Sequence, residues 1–136
     1  ERDALFTERC VALLRPGGRL GIVLPYNKVA SRAFAPFRAW LLARARVLSV
    51  VSLPQETFLP HTQQRAVCLF AQKRRAGAAP RDDEPILFVA SERAGKTTAG
   101  EPIPRQSGKG WCATAHDLDE ALAVLRPFLA REGFTS

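Results

Sequence analysis

Two short apolar runs, Arg19–Leu24 and Val47–Leu53, stand on either side of one amphipathic segment. That arrangement constrains the fold more than anything else in the chain. Both runs are short, and the first is bounded by turn formers, which predicts buried strands. The segment between them, from about Phe34 to Ala45, repeats Phe37, Trp40, Leu41 and Arg44 at helical spacing, with Pro36 in the first turn, where a missing N–H does no harm. Strand, helix and strand with short links form a βαβ unit. Its two strands are expected to be parallel and joined by a right-handed crossover. A third run, Arg65–Gln72, follows a polar connection of about a dozen residues with no helix in it, so it is expected to return antiparallel. The reading is an α/β fold with a mixed sheet containing one reversed strand.

The flanks are less regular. Asp3–Leu14 places Leu5, Phe6, Cys10, Leu13 and Leu14 on one side of a helix that Pro16-Gly17-Gly18 stops. Beyond Lys73-Arg74-Arg75 the composition shifts to Gly, Pro and Asp. We therefore divide the chain into 1–75, holding the βαβ unit and the third strand, and 76–136, a tail packed on the same domain. The tail holds a strand at Pro85–Ala90 and an irregular basic stretch over 91–116. A final helix follows, opened by Asp117-x-x-Glu120 as a capping box and weakened at Pro127.

Composition narrows the class. No apolar run approaches the ~18 residues of a membrane span, and no signal-peptide pattern opens the chain. Cys10, Cys68 and Cys112 are far apart and make no CxxC pair, so a reducing, cytoplasmic setting is expected, with neither a zinc site nor a disulfide framework. The net charge of +7 favours a polyanionic partner. Sixteen of the twenty cations are Arg, however, a bias that a GC-rich genome produces without selection for nucleic acid. The sequence contains no Met, and the reading expects a segment of a longer chain.

No Gly-rich phosphate cradle, metal-ligand spacing or nucleophile with a nearby base is present. His61 and His116 are isolated. What is informative is the position of two loops. In parallel sheets ligands bind beyond the carboxyl ends of the strands, which places Tyr26, Asn27, Lys28, Phe58, Pro60 and His61 at the functional edge. By position alone Phe58 reads first as a packing anchor, because most aromatic side chains bury for packing reasons.

The ordered series RPGGRLGIVLP, FRAWLLARARVLSVVSLPQETFLP and AVCLFAQKR resembles adenine-N6 DNA methyltransferases of the gamma motif order. The tail, with Ile86–Ala90, Glu92, Gly95, Gly100-Glu101-Pro102-Ile103-Pro104 and Asp117-Leu118, resembles the modification subunits of type I restriction systems. One stretch departs from that pattern. Where relatives carry Gly, Thr and Lys, this chain has His61-Thr62-Gln63-Gln64-Arg65.

The resemblance implies the C-terminal half of a Rossmann-like catalytic domain that uses S-adenosylmethionine and extrudes an adenine from duplex DNA. Both the family's cofactor loop and its Asn-Pro-Pro-aromatic catalytic motif lie upstream of the matching segment. No catalytic, cofactor-binding or metal residue is therefore expected here, and the chain alone is expected to be inactive and not to bind the cofactor. The target-base pocket maps onto Phe58 and Pro60. Lys28, Lys73, Arg74, Arg75, Lys96 and Arg105 are the expected DNA contacts. The implied partners are DNA, the N-terminal half of the catalytic domain, a specificity subunit and a restriction subunit, with no membrane. The alternatives are a non-catalytic nucleic-acid-binding or assembly module that keeps the fold, and a methyltransferase acting on RNA or protein.

Overall fold

The computed structural model describes residues 2–104 and 114–134. In chain order the elements are α1 (Arg2–Leu13), β1 (Arg19–Pro25), α2 (Asn27–Ala30), α3 (Ala35–Arg44), β2 (Ala45–Ser52), β3 (Ala66–Lys73), β4 (Leu87–Ala90) and α4 (Leu118–Arg131). Short 3-10 turns cover Arg32–Phe34 and Gln55–Phe58.

The four strands form one sheet in the order β1-β3-β2-β4. β3 runs antiparallel to both β1 and β2, so β1 and β2 point the same way, as the βαβ reading requires. They are not neighbours, however, because β3 inserts between them along its whole length. β4 joins the far edge parallel to β2. The tail thus extends the same sheet.

Strand alternation sorts the apolar residues into two faces. On the first, Ile22 and Leu24 of β1, Val67, Leu69 and Ala71 of β3, and Val47 and Val50 of β2 pack with Val11 of α1 and Leu41 of α3 into the main core. Phe37 and Trp40, stacked 6.4 Å apart, border that core half-buried. On the second face Val51, Leu53 and Ala66 form a smaller cluster with Cys68, Phe70 and Val89. There α4 contributes Leu125 and Phe128. A groove of about 150 Å³ remains between α4 and this face, lined by Cys68, Phe70, Leu118 and Leu122 among others.

β2 is covered on both faces, as expected. A register shift between Val47 and Ser49 changes the phase of the alternation, so that Val47 and Val50 both reach the main core while Val51 packs on the other face. Its one polar core residue, Ser49, is fully buried and satisfied by donating to the Leu87 carbonyl at 2.9 Å. β1 differs from the expectation of a buried strand. Its burial alternates, and Val23 on the second face is 52% exposed.

The ends of the elements follow from local chemistry. Gly17, at φ +78°, makes the turn after α1. Lys73 donates its ammonium to the Leu14 carbonyl at 2.8 Å and so satisfies a C-terminal acceptor of that helix. The expected capping box at Asp117 does not form, since the Asp117 side chain makes no cap bond to α4, and His116 Nδ1 accepts from the Leu118 N–H at 3.2 Å. The Asp117 carboxylate instead accepts from the Ser91 hydroxyl and from the backbone N–H groups of Glu92 and Arg93. Burial pushes its pKa up, but those hydrogen bonds outweigh it and the net shift is downward. The helix continues through Pro127.

The tail is also held by charge. Arg74 makes a bidentate pair with Glu84 at 3.0 and 2.8 Å. Arg46 lies 3.7 Å from Glu84 and donates to Glu132 at 2.6 Å. The Arg74 hydrogen bond, opposed by desolvation and helped by the Arg81 N–H, lowers the Glu84 pKa from 4.5 to about 2. A depressed folded-state pKa gives stability that is present above the unfolded value and lost as pH falls through the folded one. The urea midpoint is therefore expected to fall between about pH 4.5 and pH 2 by an amount equivalent to about 1–2 kcal/mol, after allowance for solvent screening. In Glu84→Gln that part of the decline is expected to vanish. A Glu84→Gln variant with the same acid slope as the parent would show that Glu84 does not carry it.

Candidate functional site

The carboxyl ends of β1 and β2 lie at the same edge of the sheet, as both strands run antiparallel to β3. The chain leaves β1 through Pro25 and Tyr26. In place of the loop that the sequence predicts here, Asn27–Ala30 forms one helical turn and Arg32–Phe34 a 3-10 turn. The chain leaves β2 through Leu53 and a buried Pro54 into the turn Gln55–Phe58.

Arg65, which sequence reading did not single out as a site residue, ties the two exits together. Its guanidinium donates to the Ser52 hydroxyl at 3.0 Å and to the Leu53 carbonyl at 3.3 Å. It also stands 4.9 Å over the Tyr26 ring. The backbone joins them too, with Tyr26 N–H donating to the Arg65 carbonyl at 2.8 Å. The only available signal was its place just before β3, opposite the end of β1.

Phe58 closes the turn after β2 and is 37% exposed, and it belongs to neither apolar cluster. The side chain is therefore partly covered by its surroundings and partly open to solvent. The Phe58 carbonyl accepts from the N–H groups of His61 and Thr62 at 2.9 and 3.1 Å, which folds residues 58–62 into a tight bend. Pro60 is exposed on that bend, after a cis Leu59–Pro60 bond. The tail reaches this loop as well, for Lys96 donates to the Leu59 carbonyl at 2.9 Å.

The expected DNA contacts do not form one surface. Lys28 is only 2% exposed, pairs with Asp3 at 3.6 Å and lies 3.7 Å over the Phe34 ring. Burial removes it from the groups a polyanion could meet. Lys73 ends β3, and Arg74 and Arg75 follow it, at the opposite end of the sheet from Phe58, separated by the length of an eight-residue strand, roughly 25 Å at 3.3 Å per residue. They line a cleft of about 430 Å³ with Trp40 and Arg44. Lys73 and Arg74 are engaged with Leu14 and Glu84, while Arg75 is exposed. Lys96 is at the Phe58 edge. Arg105 lies outside the described residues.

No glycine follows β1 or β2 before the next element, so the close backbone approach of a Gly loop is not available there. Among the described residues no cluster of His, Cys, Asp or Glu could hold a metal ion, and no helix is long and apolar enough to cross a membrane. What the edge offers is an exposed aromatic ring on a pinned loop, next to a Tyr–Arg stack.

No family model and no curated protein sequence matches the chain. Solved structures do. A type I restriction-modification assembly is similar over 98% of this chain and 26% of its own, at 23% identity and TM-score 0.66. A modification subunit of a proposed type I restriction enzyme from Vibrio vulnificus is similar over 91% of this chain and 25% of its own, at 23% identity and TM-score 0.61. A proposed class I S-adenosylmethionine-dependent methyltransferase from Listeria monocytogenes is similar over 64% of this chain and 26% of its own, at 20% identity and TM-score 0.51. The chain therefore has the Rossmann-like fold of class I methyltransferases, and it spans about a quarter of the length of these structures.

Proposed function

We propose that this chain is the target-base half of a DNA methyltransferase that moves a methyl group from S-adenosylmethionine to N6 of adenine. Phe58 and Pro60 form a wall of the base pocket. The observation that carries this reading is the exposed Phe58 ring on a fixed loop beyond the carboxyl end of β2, where open α/β sheets bind their ligands. Adenine inside a duplex cannot be reached, so its extrusion costs a few kcal/mol. Stacking on an aromatic side chain returns roughly 1–3 kcal/mol of that. The cofactor and the group that orients the adenine amino group come from the N-terminal half of the domain. DNA, a specificity subunit and a restriction subunit are its proposed partners, in the cytoplasm.

Two results are expected of the chain by itself. Titration calorimetry with S-adenosylmethionine gives no saturable heat, because no glycine follows β1 or β2 before the next element. A clear micromolar isotherm would place the cofactor site within these residues and overturn the division of labour. Duplex DNA binds weakly through Arg75 and Arg105, with a log–log salt slope of about −2, as expected for two displaced counterions. Binding that does not change with salt would contradict phosphate contacts.

An exposed apolar surface favours a second reading, as an assembly module. Val23 is 52% exposed on the second face of β1, and Leu118 and Leu122 of α4 are 47% and 39% exposed. Such a surface marks an interaction site, and both readings place the N-terminal half against it.

A further inference from the structure

The tail stretch from Ala94 to Pro104 is a compact turn, fixed within itself. Thr97 N–H donates to the Glu101 carbonyl at 2.8 Å, Gly100 N–H to the Thr97 carbonyl at 2.9 Å, and Ile103 N–H to the Gly95 carbonyl at 2.8 Å. An isolated bridge pairs Lys96 with Pro102. This turn meets the Phe58 loop at two points. The Lys96 ammonium donates to the Leu59 carbonyl at 2.9 Å. Gly100 sits against Pro60 so closely that a Cβ there would fall 2.8 Å from Pro60 Cδ and 3.2 Å from the Leu59 carbonyl oxygen. Gly100 has φ +89°, a conformation that disfavours any other residue.

We propose that this turn is a brace for the base-binding loop, with Lys96 as the positioning residue that latches it. The inference rests on the reading of Phe58 as a base-stacking residue. The physical case is that residues 59–65 are bound to β2 and β3 only at their ends. An exposed ring on such a loop would lose stacking energy to motion unless something fixed the adjacent backbone. Lys96 bonds the carbonyl immediately after Phe58 with a charged donor, which makes the bond stronger than a neutral one. Gly100 supplies the fit. Lys96 therefore acts on the base through Leu59 and not by touching DNA phosphate, which distinguishes it from Arg75.

The test is amide hydrogen exchange on the chain over residues 55–62, where Thr57, Leu59, His61 and Thr62 all donate backbone bonds within the loop. In Lys96→Met exchange there is expected to rise roughly tenfold, the effect of losing a charge-assisted hydrogen bond. Amides of β3 should be unchanged. Lys96→Arg should restore protection, and Gly100→Ala should reproduce the Lys96→Met result. Unchanged exchange at 55–62 in Lys96→Met overturns the brace, as does an equal rise in β3, which would mean general destabilisation. The outcome is separable from the fate of the Phe58 reading. If Lys96→Met loosens the loop while Phe58→Ala leaves base extrusion intact in the full protein, the brace stands and the stacking role falls.

Discussion

Phe58→Ala is expected to weaken the extruded-base complex by about 1–3 kcal/mol, roughly 5–150-fold, in a protein that joins this chain to the cofactor-binding half. The loss is expected in base extrusion and methyl transfer, with cofactor affinity nearly unchanged. Phe58→Trp should keep much of the activity, since a larger ring still stacks. The structure adds a condition that separates function from packing. With 37% of the residue exposed and no place in either apolar cluster, truncation should cost the fold little, and the melting temperature should hardly move. The measurement is methyl transfer to a cognate duplex, with 2-aminopurine at the target position reporting extrusion. A Phe58→Ala variant that flips and methylates normally while its melting temperature drops sharply would identify Phe58 as a packing anchor.

Leu24→Ala is expected to be the most damaging of the simple truncations in β1. Leu24 is 2% exposed and faces Val67, which is fully buried, in the main core. Removing three carbons there leaves a cavity that the sheet cannot collapse to fill, at a cost of about 2–5 kcal/mol. Val23→Ala, one residue earlier, removes a side chain that is 52% exposed and should cost under about 1 kcal/mol. The contrast tests the assignment of faces, because a strand covered on both sides would make the two substitutions comparable. Urea unfolding of both variants decides it. Similar large losses at both positions would mean that a partner copy or segment covers the second face.

Much of the fold was legible because it depends on local pattern. β1 was expected over Arg19–Leu24 and spans Arg19–Pro25, and β3 was expected over Arg65–Gln72 and spans Ala66–Lys73. Both are apolar runs closed by turn residues. Strand order was not legible, because nothing in the local pattern of β3 says that it slots between β1 and β2. The missing capping box has a similar cause. Asp117 is a good cap by spacing, but Ser91 and the Glu92 and Arg93 amides compete for its carboxylate, and they are brought to it only by the fold. Of the site, the strand ends were readable and their cross-ties were not. The bond of Arg65 to Ser52 spans thirteen residues and that of Lys96 to Leu59 thirty-seven. Lys28 shows the reverse error, since a loop lysine in sequence is a buried ion-pair partner of Asp3 in the structure.

Methylation of adenine in DNA is the reaction proposed for these residues. The most direct measurement incubates duplex DNA and labelled S-adenosylmethionine with the protein in which this chain is joined to its cofactor-binding half. The DNA is then digested to nucleosides and the labelled product identified. Label is expected in N6-methyladenine, lost in proportion when Phe58 is replaced by Ala. Label in cytosine, in RNA or in protein, or none at all with a cofactor that demonstrably binds, would contradict the proposal.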